Sequence, residues 1–115
     1  MYQIIQSILS DPQDKTEISL IFANVTEDDI LLRQELDAWA VVYKKQFKVY
    51  YVLDKPPSSK WVGGSGYVTP SMLRDQLFAP GSDAMVLCCG PPMMVNKLNE
   101  HLVQLGHSKA NIFTF

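Results

Sequence analysis

Apolar residues in the first half of the chain alternate between helical and extended spacing. Those at residues 4–9 repeat at four-residue intervals, which predicts a short helix that ends before Pro12. Two compact β-prone runs, residues 18–23 and 47–53, predict buried strands. Between them, a capping box at Thr26 and an apolar stripe predict one helix of about 15 residues. The stripe consists of Leu32, Leu36, Trp39, Ala40 and Tyr43, with Lys44 and Lys45 in the last turn.

The second half repeats this alternation after a long loop. Residues 55–66 are rich in Pro, Ser and Gly, and a loop of this length is often functional. A capped helix follows, and residues 84–89 then predict a third strand. A further helix is predicted from 95 to 105, with Gly106 as its natural C-terminal residue, and residues 112–115 predict a last strand.

Strands that alternate with helices predict an α/β fold of three layers, a mostly parallel sheet covered by helices on both faces. The chain opens on a helix, and it contains no G-x-G-x-x-G phosphate loop. We therefore expect this fold to lack its first strand and its Gly-rich loop. The glycine run at residues 63–66 follows a loop instead of a strand end, so it is a weak phosphate fingerprint.

The composition describes one small folded domain or part of one, with 115 residues of which 47% are hydrophobic. A net charge of −2 argues against broad nucleic-acid binding. No apolar run has the length of a membrane span and no signal peptide is present, so we expect a cytoplasmic chain without a membrane span. Cys88 and Cys89 are adjacent, which predicts free thiols in a reducing compartment and no metal site.

The most specific chemical signal is a strand-to-helix corner at residues 88–94, Cys-Cys-Gly-Pro-Pro-Met-Met. Ligands of open α/β sheets bind outside the carboxyl ends of the strands, where this corner is predicted to lie. Gly90 permits a sharp turn and close approach of a ligand, and the prolines fit a first helical turn. The corner resembles the nicotinamide-side motif of the NADH–cytochrome b5 reductase family, flavoproteins of the ferredoxin-NADP reductase superfamily.

The resemblance covers nearly the whole chain. Residues 22–33, Phe-Ala-Asn-x-Thr-Glu-x-Asp-Ile-Leu-Leu-Arg, are similar to the family's segment after its second lobe strand. Residues 51–57, Trp61 and residues 66–68 resemble its adenosine-side strand and loop. Met93 stands in the place of the family's third proline. Plant nitrate reductases share this lobe, so these motifs do not separate the two groups.

The resemblance implies that NADH delivers a hydride to FAD, and that the flavin passes single electrons to a haem protein such as cytochrome b5. Residues 1–115 would be a partial NAD-binding lobe, because the family's FAD-binding domain and its Gly-x-Gly-x-Thr-Pro loop are absent from the chain. A full-length form could carry an anchor to the endoplasmic reticulum or the mitochondrial outer membrane.

At the nicotinamide end, the resemblance implies that Cys89 lies beside the contact between nicotinamide and flavin. Cys89 would act there by packing and positioning, and not as a covalent nucleophile. By the same resemblance, Gly90, Pro91 and Met94 would shape the nicotinamide pocket.

At the adenosine end, Asp54 matches the family's carboxylate that faces the ribose. A carboxylate there would accept ribose hydrogen bonds and repel a 2′-phosphate, which favours NADH over NADPH. Tyr67 stands where the family usually has a Phe near the adenine. Asn24 is either a turn residue or a cofactor contact, and Asp54 also fits an ordinary strand-end turn. Trp61 fits either a loop anchor or a cofactor cover.

Two other functions stay open from the sequence. The chain could be a truncated, non-catalytic product that binds nucleotide weakly or not at all, or it could be the NADH lobe of a nitrate reductase. For the reductase lobe that the resemblance implies, we expect the isolated chain to be inactive without a flavin domain. His101 and His107 match no nucleophile pattern, so both are predicted to lie at the surface.

Overall fold

A computed structural model describes all residues, 1–115, and confirms the α/β class, with parallel sheets and four α-helices. The chain forms two compact units, Met1–Tyr67 and Val68–Phe115. In chain order the elements are α1 (Tyr2–Ser10), β1 (Ile18–Asn24), a 3-10 turn (Glu27–Asp29), α2 (Arg33–Val42), β2 (Phe47–Leu53), β3 (Gly64–Ser65), α3 (Pro70–Gln76), β4 (Val86–Cys88), α4 (Pro92–Gln104), a second 3-10 turn (Lys109–Asn111) and β5 (Ile112–Thr114).

The first unit is built on a three-stranded parallel sheet in the order β1-β2-β3. The pairing of β1 with β2 runs from Ile18 opposite Phe47 to Asn24 opposite Leu53. Side chains two residues apart share a face of a sheet, and one face here packs against α1 and α2. Complete burial of one large apolar side chain stabilises the fold by roughly 1.5–3 kcal/mol. The buried cluster consists of Ile5, Leu9, Ile30, Leu36, Phe47, Tyr51 and Leu53.

The single helix predicted from Thr26 onward is wrong, because the structure has two elements there. The backbone N–H and the hydroxyl of Thr26 both donate to the Asp29 carboxylate, but this box starts only the short 3-10 turn. Ile30 then leaves the helical conformation and is buried in the core. Leu32 takes a left-handed conformation (φ 58°) and is 46% exposed, so α2 begins after it. Lys44 and Lys45 lie beyond the end of α2.

The second unit contains a two-stranded parallel sheet of β4 and β5, with Val86 opposite Ile112. The Thr69 hydroxyl accepts the Met72 N–H (3.2 Å) and caps α3, as predicted. Gly106 follows α4 with a left-handed φ of 104°, which also agrees with the sequence.

A Schellman motif ends α4 and explains one wrong prediction. The Gly106 N–H donates to the Val103 carbonyl, and the His107 N–H donates to the Leu102 carbonyl, both at 3.0 Å. The motif turns the chain back, and His107 is 7% exposed, not a surface residue. None of the helices is both long and apolar enough to cross a membrane.

Candidate functional site

Three of the predicted site residues meet at the carboxyl end of the first sheet, and we call Asn24, Asp54 and Tyr67 the strand-edge site. The Asp54 N–H donates to the Asn24 carbonyl (3.0 Å), which joins the ends of β1 and β2. The Gly66 N–H donates to the Leu53 carbonyl (2.9 Å), so the chain enters Tyr67 beside Asp54. This edge of a parallel sheet is where α/β folds bind ligands.

The side chains of the strand-edge site offer three different kinds of contact. The Asp54 carboxylate is exposed and available as an acceptor, and the Tyr67 ring is 89% exposed. The Asn24 amide nitrogen is buried, yet it donates to no acceptor in the chain. Most buried donors in proteins are paired, so this amide is available to an acceptor from outside the chain, water included. The site thus supplies an acceptor, an aromatic surface and a donor.

The loop that leads to Tyr67 is held by Trp61 and by a close backbone approach. The Trp61 indole N–H donates to the Gly64 carbonyl (3.0 Å), and the ring packs against the core of the first unit. A Cβ atom on Gly63 would collide with the Tyr51 carbonyl oxygen, so only glycine fits there. Trp61 is therefore a loop anchor, which is one of the two roles that its sequence context left open.

β3 lies inside the segment predicted to be entirely loop. Gly64 and Ser65 pair in parallel with Val52 and Leu53 of β2. Neither residue type favours strands, so no side-chain pattern indicated this pairing. The glycine run thus adds backbone to the sheet.

A polar network next to the loop was not predicted from the sequence. The Arg33 guanidinium pairs with the Glu27 carboxylate (2.7 Å) and lies 3.6 Å from the Asp37 carboxylate. It also lies over the rings of Tyr51 and Trp61, at 5.4 and 5.7 Å from their centroids. The spacing of Arg33 and Asp37, one helical turn apart, was the only available sequence signal.

Tyr51 closes this network through a short hydrogen bond. Its hydroxyl donates to the Asp37 carboxylate (2.6 Å). Burial, together with this hydrogen bond and the charge of Asp37, raises the pKa of Tyr51 well above its ordinary value. The hydroxyl is therefore protonated at neutral pH and acts as a donor.

The other four predicted residues lie in the second unit, and we call Cys89, Gly90, Pro91 and Met94 the Cys-Gly-Pro corner. It follows β4, where Cys88 is buried and Cys89 is exposed. Burial raises the pKa of the Cys88 thiol, so Cys88 is the small apolar core residue that its position predicts.

Gly90 takes a φ of 155°, and a Cβ atom there would collide with the terminal methyl group of Met94. Glycine thus allows Met94 to fold over the turn. Pro91 is the N-cap of α4 and Pro92 is its first residue, and no side chain caps this helix. The amide N–H groups of the first helical turn consequently have no side-chain partner.

The strand-edge site and the Cys-Gly-Pro corner are both open surfaces. A cavity of about 320 Å³ exists in the second unit, but it contains none of the predicted residues. Its lining is Leu73, Arg74, Leu77, Phe78, Ala79, Pro80, Leu105 and His107. We find no cluster of side chains that could hold a metal ion.

Comparison with known proteins assigns the chain to a family. The profile of the oxidoreductase NAD-binding domain matches residues 1–100. The chain belongs to the oxidoreductase NAD-binding domain family. This NAD-binding domain is 50% identical over 115 residues to NADH-cytochrome b5 reductase 1 of Dictyostelium discoideum. That match covers 100% of the domain and 40% of the relative, and it confirms the resemblance predicted from the sequence.

Solved structures agree with this assignment. The cytochrome b5 reductase domain of Ulva prolifera nitrate reductase is 38% identical, with a TM-score of 0.95 over 100% of the NAD-binding domain and 43% of that chain. The CS-b5R domains of human Ncb5or, in the NAD+ form, are 31% identical, with a TM-score of 0.82 over 98% of the domain and 32% of that chain. The chain spans 38–40% of the length of curated relatives that it matches.

Proposed function

We propose that the chain is the NADH-binding part of a flavoprotein reductase that passes electrons from NADH through FAD to a haem protein such as cytochrome b5. One observation carries the proposal: backbone hydrogen bonds bring Asn24, Asp54 and Tyr67, which carry an unpaired donor, an acceptor and an exposed ring, to the carboxyl edge of the first sheet. The relatives named NADH-cytochrome b5 reductase and the solved NAD+ form of human Ncb5or support the choice of cofactor.

In this proposal the strand-edge site binds the adenosine half of the dinucleotide. Asp54 accepts hydrogen bonds from the ribose hydroxyls and repels a 2′-phosphate. Tyr67 offers its exposed ring to the adenine, and the Asn24 amide donates to an oxygen of the cofactor. These residue types fit the chemistry of a nucleoside.

The Cys-Gly-Pro corner serves the nicotinamide half. The exposed Cys89 limits the position of the ring by packing, and Gly90 keeps the backbone clear of it. Pro91 and Met94 fix the start of α4 beneath this surface. When bound, FAD accepts two electrons as a hydride and releases them singly, which is chemistry that these side chains cannot supply.

Calorimetric titration of the purified chain tests the proposal. We expect saturable NADH binding and at least about tenfold weaker NADPH binding, since one misplaced charge costs about 1.4 kcal/mol or more. The variant Asp54→Asn keeps the shape of the side chain and should reduce the preference for NADH over NADPH. Asp83→Asn, an exposed acidic residue in a turn of the second unit, is the matched control.

Three results would contradict the proposal. If NADH does not bind, the chain is a non-catalytic product, which is the second function left open by the sequence. If NADPH binds as tightly as NADH, Asp54 does not face the ribose. Rapid reduction of ferricyanide by the chain alone would contradict the role of FAD as a required carrier.

The nitrate reductase lobe is a second candidate, favoured by the similarity to the Ulva prolifera domain. Both candidates use the same NADH site and differ in the electron acceptor. The sequence of the full-length protein that contains this lobe would separate them.

A further inference from the structure

We propose that Arg33 is a positioning residue that fastens residues 55–66 to the body of the first unit and thereby sets the geometry of the strand-edge site. This inference rests on the proposed NADH-binding function. Arg33 lies in α2 and is not one of the three residues of the strand-edge site.

The first argument is the environment of the guanidinium group. Glu27 approaches it at 2.7 Å from the 3-10 turn, and Asp37 lies 3.6 Å away on the next helical turn. The rings of Tyr51 and Trp61 lie with their centroids 5.4 and 5.7 Å from its carbon atom. A planar cation can stack on rings and pair with carboxylates at the same time, whereas a lysine ammonium group cannot do both in this geometry.

The second argument is the path from Arg33 to the site. Trp61, under the guanidinium group, donates its indole N–H to the Gly64 carbonyl (3.0 Å). Gly64 begins β3, and the Gly66 N–H, immediately before Tyr67, donates to the Leu53 carbonyl. Each step is a direct contact, so a shift of Trp61 would pass to the backbone that carries Tyr67.

The third argument is that the middle of this loop, residues 56–63, has little other support, whereas its ends are held by the Lys55 N–H bond to the Val25 carbonyl and by β3. Within residues 56–63, the Trp61 and Lys60 N–H groups donate to Ser58, so these bonds join the loop only to itself. Val62 is 94% exposed and adds no burial. The Trp61 ring and the approach of Gly63 to β2 are the points at which the loop meets the core. Arg33 covers the first of these points.

The variant Arg33→Lys tests the inference, because it keeps the charge and removes the planar group. Amide hydrogen exchange should become at least about tenfold faster at residues 60–66, with β1 and β2 unchanged. NADH affinity, measured by calorimetry on the same samples, should fall about three- to tenfold. Arg74→Lys is the matched control, since Arg74 is exposed and pairs only with the adjacent Asp75. It should change neither quantity.

Trp61→Phe provides an independent variant that keeps a ring beneath Arg33 but removes the indole donor to Gly64. It should accelerate exchange at Gly64 and Gly66 and weaken NADH binding to a similar degree.

Three outcomes would overturn the inference. Unchanged exchange at residues 60–66 in Arg33→Lys would show that Arg33 does not fasten the loop. Faster exchange with unchanged NADH affinity would show that the loop does not set the site. Equal acceleration across β1, β2 and the loop would identify Arg33 as a general stabilising residue. If the wild-type chain fails to bind NADH, the proposed function fails, and exchange at the loop still decides whether Arg33 fastens it.

Discussion

The strand-edge site and the Cys-Gly-Pro corner both follow the carboxyl ends of parallel strands, but different forces hold them. The strand-edge site is tied by backbone hydrogen bonds from Asp54 and Gly66, and by an anchored loop. The corner depends on one left-handed glycine, one methionine contact and two prolines. The first is a network of many partners and the second is a conformational restraint of the backbone.

This difference predicts how each region responds to change. A network distributes the effect of one substitution over several contacts, except where the backbone itself approaches closely. A conformational restraint depends on very few atoms, so a substitution that adds a single methyl group is enough to test it. Substitutions that add or remove a few atoms can therefore separate the two regions, and we expect the largest effect where a backbone carbonyl blocks the added group.

Gly63→Ala should destabilise the protein by about 3 kcal/mol, because its Cβ meets a backbone carbonyl of β2 that cannot move without the strand. Denaturant unfolding measures this change. Gly81→Ala is the control, since its Cβ meets only the Asp83 carboxylate at 3.0 Å, and it should cost less than about 1 kcal/mol. Equal losses in the two variants would mean that the approach of Gly63 to β2 is not tight.

Cys88→Ser should lower the free energy of unfolding by about 2 kcal/mol, because it buries a hydroxyl group in an apolar position. Cys89→Ser changes an exposed thiol in the same corner and should change stability by less than about 0.5 kcal/mol. Thermal or denaturant unfolding of the two variants in parallel provides the measurement. A larger loss of stability in Cys89→Ser than in Cys88→Ser would mean that Cys89, and not Cys88, is the buried cysteine.

Gly90→Ala should cost about 1–2 kcal/mol through the left-handed conformation alone, since the Met94 methyl group that it meets can move aside. If the corner holds the nicotinamide, the free energy of NADH binding should fall by more than the free energy of unfolding does. Denaturant unfolding and calorimetry on one sample separate these effects. A fully stable variant with normal NADH affinity would show that the corner does not need this conformation.

Tyr51→Phe should cost about 1 kcal/mol at neutral pH, because it removes the hydrogen bond to Asp37. The folded protein raises the pKa of Tyr51 above its ordinary value of 10.0, so unfolded Tyr51 ionises first as the pH rises. The contribution of the Tyr51 hydroxyl to the free energy of unfolding is fully present below pH 10 and decreases above it. The gap between wild type and variant should therefore narrow above pH 10 in denaturant unfolding. A constant gap would mean that the pKa of Tyr51 is not shifted.

The sequence anticipated elements that its side-chain pattern defines. β2 has the predicted bounds, β1 extends its prediction by Asn24, α3 begins after its cap Thr69, and α4 ends before Gly106. These features depend on local spacing and on apolar runs, so a single chain displays them directly. The corner was found for the same reason, because its distinctive residues are consecutive.

The remaining features depend on partners that are distant in sequence. The stripe from Leu32 to Tyr43 has helical spacing, but burial of Ile30 breaks the helix before it. β3 forms through backbone pairing that its glycine and serine side chains do not signal. The network of Arg33 and Tyr51 joins α2 to β2, two elements that only the fold brings together.

The unpaired amide nitrogen of Asn24 has a thermodynamic consequence for the whole chain. This donor is buried and no group of the chain accepts from it, and a buried donor left without any acceptor costs roughly 1–3 kcal/mol. In the proposed function, a cofactor oxygen that reaches Asn24 supplies this acceptor in addition to the cofactor's other contacts. Cofactor binding and the melting temperature of the protein are then linked, so the chain should be measurably more heat-resistant in the presence of saturating ligand.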